Sequence, residues 1–117
     1  MNKDCLLENA AARELYKSVS ALPIIDYHCH LSPREIFENK PFTDIGELWL
    51  SADHYKWRLM RSCGISEEYI TGGAPMREKF RAYAGALEFA AGNPLYLWSH
   101  MELSRYFGID TPLSRRN

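Results

Sequence analysis

The chain has 117 residues, of which 46% are hydrophobic and 25% charged, as in one ordinary globular domain. Its formal net charge of -1 predicts neither nucleic acid nor an anionic membrane as a partner. The amino terminus lacks the apolar core of a secretion signal, and no apolar run approaches the roughly 20 residues that span a bilayer.

Cysteine spacing predicts the compartment. Cys5, Cys29 and Cys63 are odd in number, widely separated and without a CxxC pair. Such spacing argues against a disulfide framework and favours a reducing compartment, so we expect a cytoplasmic protein.

The first predicted elements are a helix and a strand. Leu7, Ala11, Leu15 and Val19 recur every four residues, which is the apolar stripe of an amphipathic helix. Pro23 ends this pattern. The run IIDYHCHL over 24–31 is rich in β-branched and aromatic residues and predicts a short buried strand. A single strand leaves its backbone groups unpaired, so it either pairs with sequence outside this chain or does not form here.

Local start and stop signals predict the remaining helices. Ser32 can cap a helix, Pro33 suits its first position, and Glu35 completes a capping box. Four more helices are predicted. One begins near Thr43 or Asp44, and a second runs over 51–63 and ends at Gly64. A third runs from Met76 to Phe89 after a turn at 71–75, and a fourth runs from Pro94, capped by Asn93, to about Phe107. One strand among five or six helices is not a complete α/β domain.

A pair of histidines is the sharpest chemical feature. Residues two apart on a strand project from the same face with Cα atoms roughly 7 Å apart, so His28 and His30 can converge on one metal ion. Two ligands are too few for a tight site, so another must come from elsewhere. Asp26 shares their face and can orient them. The alternative is two histidines that hydrogen-bond to backbone or carboxylates without a metal.

A second group lies at the start of a predicted helix. The Tyr55 hydroxyl can move a proton or stabilise an enolate, and His54 can bind a hydroxyl or carbonyl. Arg58 or Arg61, one and two turns further on, can meet a carboxylate. The alternative is an ordinary helix with Trp57 and Met60 buried and its basic residues in solvent.

Three stretches, in order along the chain, resemble the uronate isomerase family of amidohydrolase-like metal-dependent barrels. They are PIIDYHCHLSP over 23–33, GELWLSADHYKWRLMRSCGI over 46–65, and GNPLYLWSHMELSRYFGI over 92–109. Many hydrolases share HxH, whereas DHYKWR together with NPLYxWxHxEL is specific to this family.

The resemblance implies an α/β fold. Residues 1–117 would be the amino-terminal, incomplete part of a single TIM (β/α)₈ barrel domain, mostly α-helical, with the first barrel strand near residues 23–31. Active sites of such barrels lie at the carboxyl ends of the strands, where His28 and His30 would sit.

The resemblance also implies the activity of an intramolecular oxidoreductase. The reaction is the aldose–ketose interconversion of D-glucuronate with D-fructuronate and of D-galacturonate with D-tagaturonate, through an enediol. His28 and His30 match the family's metal pair, and His54 and Tyr55 match its substrate-binding and catalytic pair. The implied cofactor is a divalent metal, with zinc favoured and its need in catalysis left open.

The same resemblance implies that the chain alone lacks the barrel carboxylate that completes the metal site and the arginines that hold the substrate carboxylate. We therefore expect it to show little or no isomerase activity. Its exposed apolar face favours self-association, so an oligomer is compatible with the sequence. Two other functions stay open: an amidohydrolase-type hydrolase that uses the same HxH, and a non-catalytic helical interaction module.

Overall fold

The computed structural model describes residues 6–117, so Cys5 lies outside the described residues. Within this range the chain forms six α-helices and one short 3₁₀ helix over Glu67–Tyr69. The α-helices are α1 (Ala10–Val19), α2 (Pro33–Glu38), α3 (Ile45–Leu50), α4 (His54–Ser62), α5 (Met76–Leu87) and α6 (Pro94–Phe107). None of these helices has the length and apolar character that crossing a bilayer requires.

Side-chain caps begin four of the helices, α1, α3, α4 and α6. The Asp44 carboxylate accepts the N–H of Glu47 at 2.9 Å, and Asn93 accepts the N–H of Leu95 at 2.9 Å. Asp53 accepts the N–H of Tyr55, so α4 begins at His54 and not at residue 51 as the sequence predicted. The starts of α3 and α6 are as predicted.

Two local predictions are wrong in detail. Ser32 precedes α2 but makes no side-chain cap hydrogen bond, so the predicted capping box is not formed. Helix α5 ends at Leu87, two residues before Phe89. The N–H groups of Phe89 and Ala90 bond three residues back, to Ala86 and Leu87, which tightens the last turn and ends the α-helix.

The core lies where α3, α4, α5 and the 3₁₀ helix pack together, with α6 against them. Its most buried large side chains are Tyr83, Met60, Ile70 and Leu87. The Tyr83 hydroxyl pairs with that of Ser99 at 2.9 Å, which satisfies both buried groups. Helix α4 is therefore packed against both α3 and α5.

The predicted strand near residues 23–31 is wrong for this chain. Residues 23–31 have an irregular backbone, and no strand occurs anywhere in 6–117. The expected burial is absent as well: Ile24 and Tyr27 are 91% and 96% exposed. A strand needs a neighbouring strand for its backbone N–H and C=O groups, and the described residues supply none.

Apolar side chains are exposed both on α1 and on this irregular segment. Helix α1 buries none of its residues, and Leu15 and Val19 on its predicted apolar stripe are more than half exposed. Ile25 is 88% exposed. The predicted apolar face is thus present on the surface of the described residues, whereas self-association through it stays a prediction.

Candidate active site at the start of helix α4

The structure brings together the four residues selected from the sequence. The His30 ring lies 4.6 Å from the His54 ring, centroid to centroid, and is stacked on the Tyr55 ring at 4.8 Å and 20°. The His28 ring approaches His30 edge-on, with centroids 5.8 Å apart. Two distant sequence motifs therefore form one cluster of side chains.

Each half of the cluster has its own local scaffold. His54 and Tyr55 occupy the first turn of α4, which the Asp53 cap begins. On the irregular segment, the Asp26 carboxylate accepts the backbone N–H of His28 at 3.2 Å and forms a local turn. Asp26 thus shapes the backbone that leads into His28, while the sequence had predicted that it would orient the two rings.

Asp53 joins the two halves, and sequence reasoning missed it. Its Oδ1 lies 3.1 Å from Nδ1 of His30 and also accepts the N–H of Tyr55 at 2.9 Å. Its Oδ2 forms an ion pair with the Lys56 ammonium at 2.6 Å. The available signal was its position immediately before the helix that carries His54, where aspartate is a favoured cap.

The electrostatics keep Asp53 ionised. Burial acts to raise its pKa, but the hydrogen bond and charge of Lys56, with hydrogen bonds from His30 and the Tyr55 N–H, outweigh burial. The pKa of Asp53 therefore lies below its ordinary value. A stable carboxylate beside His30 favours an imidazole that donates from Nδ1 and leaves Nε2 as an acceptor or ligand.

The two arginines proposed for a substrate carboxylate have different surroundings. The Arg58 guanidinium lies 5.2 Å from the Tyr55 ring centroid, in cation–π contact with the cluster. Arg61 instead forms a two-pronged ion pair with Glu67. Arg58 is therefore the arginine that the structure brings next to Tyr55.

Most of the cluster is open to solvent. His28 and His54 are exposed and Tyr55 is 44% exposed, whereas His30 is partly covered. A groove of about 770 Å³ lies elsewhere on the described surface and is lined by Tyr69, Arg81, Phe89 and Arg115 among others. The cluster is thus an accessible face of the molecule and not a closed pocket.

The histidine pair fits part of a metal site. Each imidazole that binds a metal ion must place one nitrogen about 2.0–2.1 Å from that ion. The rings of His28 and His30, edge-on with centroids 5.8 Å apart, can converge on one such ion. Within residues 6–117, however, no group of three or more His, Cys, Asp or Glu side chains is placed to hold a metal ion. His28 and His30 can therefore contribute to a ligand set but do not complete one.

Comparison with known proteins supports the family suggested by the motifs. The whole chain, residues 1–117, matches the family model described as glucuronate isomerase. It is 56% identical over 118 aligned positions to the uronate isomerase of Caldicellulosiruptor bescii, and 57% identical over 116 positions to that of Streptococcus pneumoniae. These alignments cover 100% and 99% of this chain but 25% of each relative, so the chain spans about a quarter of the length of the curated relatives it matches.

The fold also resembles that of a solved uronate isomerase. The crystal structure of uronate isomerase from Thermotoga maritima at 2.85 Å resolution superposes with a TM-score of 0.90 and 46% sequence identity, over 99% of this chain and 26% of that chain. The helical arrangement is therefore that of part of a solved uronate isomerase. With the match to the family model along its whole length, this establishes that the chain belongs to the glucuronate isomerase family.

Proposed function

We propose that this chain supplies one part of the active site of a hexuronate isomerase. The reaction would interconvert D-glucuronate with D-fructuronate, and D-galacturonate with D-tagaturonate. Membership of the glucuronate isomerase family supports the reaction class. The observation that carries the residue assignment is the stacking of His30 on Tyr55, because it joins the HxH motif to the His-Tyr step.

The architecture we propose is a TIM (β/α)₈ barrel to which residues 1–117 contribute the amino-terminal part. Residues 23–31 would become a barrel strand once a neighbouring strand pairs with their backbone. Their apolar side chains support this, since Ile24 and Ile25 are almost fully exposed here and a strand buried in a barrel would cover them.

The isomerisation moves a proton between C2 and C1 of the open-chain sugar acid and a second proton between the two oxygens. We assign the proton transfer to the Tyr55 hydroxyl and the binding of a substrate oxygen to His54. Both lie on the first turn of α4, which fixes their spacing. Arg58, beside the Tyr55 ring, adds positive charge near the developing enediolate.

The metal assignment is part of the same proposal. His28 and His30 would hold a divalent ion, zinc by the preference of imidazole nitrogen, together with donors beyond those described here. The chemistry that such an ion supplies when bound is polarisation of a substrate oxygen. Because the described residues bring only this pair together, we expect the 117-residue chain alone to show little or no turnover.

A chimera tests the reaction. This chain replaces the matching quarter of the Caldicellulosiruptor bescii uronate isomerase, and ketose formation from D-glucuronate is measured against the unmodified relative. We expect the chimera to be active and the chain alone to be inactive. Hydrolysis of a lactone or an amide without ketose formation would favour the amidohydrolase-type function instead.

Two tyrosines provide a matched comparison within the chimera. Tyr55 and Tyr69 are 44% and 42% exposed, but Tyr69 lies on the 3₁₀ helix and outside the cluster. Tyr55→Phe should lower kcat by about 10²–10⁴-fold, the usual contribution of a proton-transfer group, while Tyr69→Phe leaves it unchanged. Equal effects of the two substitutions would remove Tyr55 from the mechanism.

Metal content provides a separate measurement. His28→Ala and His30→Ala, each in the chimera, should lower the bound divalent metal per chain. Unchanged metal content in both variants would refute the metal assignment and favour histidines without a ligand role.

A hexuronate as the small-molecule substrate and the cytoplasm as the location complete the proposal.

A further inference from the structure

We propose that Asp53 is a positioning residue that sets the tautomer and orientation of His30 and aligns it with Tyr55. This inference rests on the proposed function for its catalytic meaning, since that function gives His30 and Tyr55 their roles. The contact itself is a property of the described structure and can be tested without any turnover. It connects residues 23 positions apart in the sequence.

The two carboxylate oxygens of Asp53 have different partners. Oδ1 faces Nδ1 of His30 at 3.1 Å and the N–H groups of Tyr55 and Lys56 at 2.9 and 3.4 Å. Oδ2 faces the Lys56 ammonium at 2.6 Å. Each oxygen is thus held from a different side, and the plane of the carboxylate is fixed relative to the start of α4.

The Asp53 carboxylate determines the tautomer of His30. An ionised carboxylate has no proton to donate, so His30 must present N–H at Nδ1 to form the hydrogen bond. The lone pair then lies on Nε2, the nitrogen that points away from Asp53. A metal ligand needs that lone pair, and a carboxylate on the opposite nitrogen also makes the imidazole a stronger donor.

The contact between Asp53 and His30 is partly shielded from water. The side chains of Asp53, Lys56 and His30 are 16%, 13% and 21% exposed, much less than the exposed His28 and His54. Hydrogen bonds in such partly covered places are stronger than those in open solvent. The contact is therefore more than a chance approach of two surface groups.

Asp53 also connects His30 to Tyr55. Asp53 caps the helix turn that carries Tyr55, and the same oxygen holds the His30 ring stacked 4.8 Å from the Tyr55 ring. A change in the Asp53 rotamer would move both rings. One carboxylate thus fixes the distance between the proposed metal ligand and the proposed proton-transfer group.

The competing explanation is that Asp53 is only a helix cap. The chain offers a matched control, because Asp44 caps α3 through the same kind of bond, from the N–H of Glu47 at 2.9 Å. Serine is also a good cap but is too short to reach His30. Asp53→Ser and Asp44→Ser therefore make the same change to a cap, and only the first removes the partner of His30.

The experiment measures ring-nitrogen shifts of ¹⁵N-labelled histidine in the 117-residue chain at about pH 8, where an ordinary histidine is neutral. In the wild type we expect His30 to show the Nδ1–H tautomer, which a histidine in open solvent populates less than the other. Asp53→Ser should shift both ring nitrogens of His30 towards a mixture of tautomers. Asp44→Ser should leave them unchanged, with far-ultraviolet circular dichroism reporting helix content.

Two results would overturn the inference. One is a wild-type His30 that is mainly the Nε2–H tautomer, which needs no variant and so does not depend on how any variant folds. The other is an Asp53→Ser chain of unchanged helix content in which the His30 shifts stay as in the wild type.

The chimera extends the test to the metal. Removing a carboxylate that orients a ligand histidine typically lowers metal affinity about 10–100-fold, so Asp53→Ser should weaken divalent-ion binding by that factor while Asp44→Ser leaves it as in the parent. Equal metal affinities of the two variants would count against the inference. Turnover of D-glucuronate is read separately and decides the proposed function alone.

Discussion

A hydrogen bond between helices α3 and α6 offers the sharpest test of how the core supports the site. The Trp49 side chain is 3% exposed, and its Nε1–H donates to Oε2 of Glu102 at 2.7 Å. The ammonium of Lys56, which pairs with Asp53, lies 5.8 Å from the same indole ring. Trp49 therefore connects the core to the start of α4.

A double-mutant cycle gives the magnitude. Trp49→Phe leaves the partly buried carboxylate without its donor, and Glu102→Ala leaves a buried indole N–H without an acceptor, so each single change removes a hydrogen bond to a charged group worth about 1.5–3 kcal/mol. The double variant leaves neither group unpaired. We therefore expect a coupling free energy of about 1.5–3 kcal/mol between the two sites.

The assay is urea denaturation followed by far-ultraviolet circular dichroism, which does not depend on the indole that is removed. Arg34 and Glu38 provide the control, because this pair spans 2.7 Å on α2 and its side chains are 82% and 26% exposed. Such a surface pair should couple by about 0.3–0.5 kcal/mol. A Trp49–Glu102 coupling as small as that of the control would refute the reasoning.

Two further predictions concern the turn and the 3₁₀ helix. A Cβ on Gly72 would lie 2.6 Å from the Cα of Glu68, whereas a Cβ on Gly73 would meet only the flexible Glu68 carboxylate at 3.4 Å. Gly72→Ala should therefore lower the free energy of unfolding, measured in urea, by about 1–3 kcal/mol, and Gly73→Ala should lower it by clearly less. Equal effects of the two substitutions would contradict this. The pKa of Glu67 is lowered to about 2, and the hydrogen bond from the Arg61 guanidinium is the largest cause. The stabilisation that ionised Glu67 gives the fold is therefore complete above its ordinary pKa of 4.5 and is lost as the pH falls towards 2. The stability difference between the wild type and Glu67→Gln should shrink over that window, and a difference independent of pH would rule the effect out.

The helix boundaries were largely predictable because their causes are local. Asp44 and Asn93 cap α3 and α6 through bonds that reach only two or three residues along the chain. Gly108 ends α6 with a φ of +67°, a conformation that glycine adopts without strain. Two tryptophans on predicted helices differ in burial, since Trp49 is 3% exposed and Trp98 is 55% exposed. Helix periodicity alone does not say which of several apolar stripes finds a partner.

The candidate site was only partly predictable. HxH and the His-Tyr step could be recognised as chemistry because the residue types and their spacing suit metal binding and proton transfer. Their meeting could not be derived from spacing, since His30 and Asp53 are far apart in the sequence. The predicted strand failed for a related reason, because pairing depends on a neighbour that the residues of 23–31 do not specify.

The sequence by itself determined the family, the helix ends and the chemical character of the two motifs, since each depends on residues that are close together along the chain. Only the tertiary structure decided that residues 23–31 remain irregular, that Arg61 pairs with Glu67 while Arg58 lies by Tyr55, and that one carboxylate links His30 to helix α4. The physical reason is that contacts between distant residues depend on how the packed helices orient α4, and that orientation is a property of the whole core.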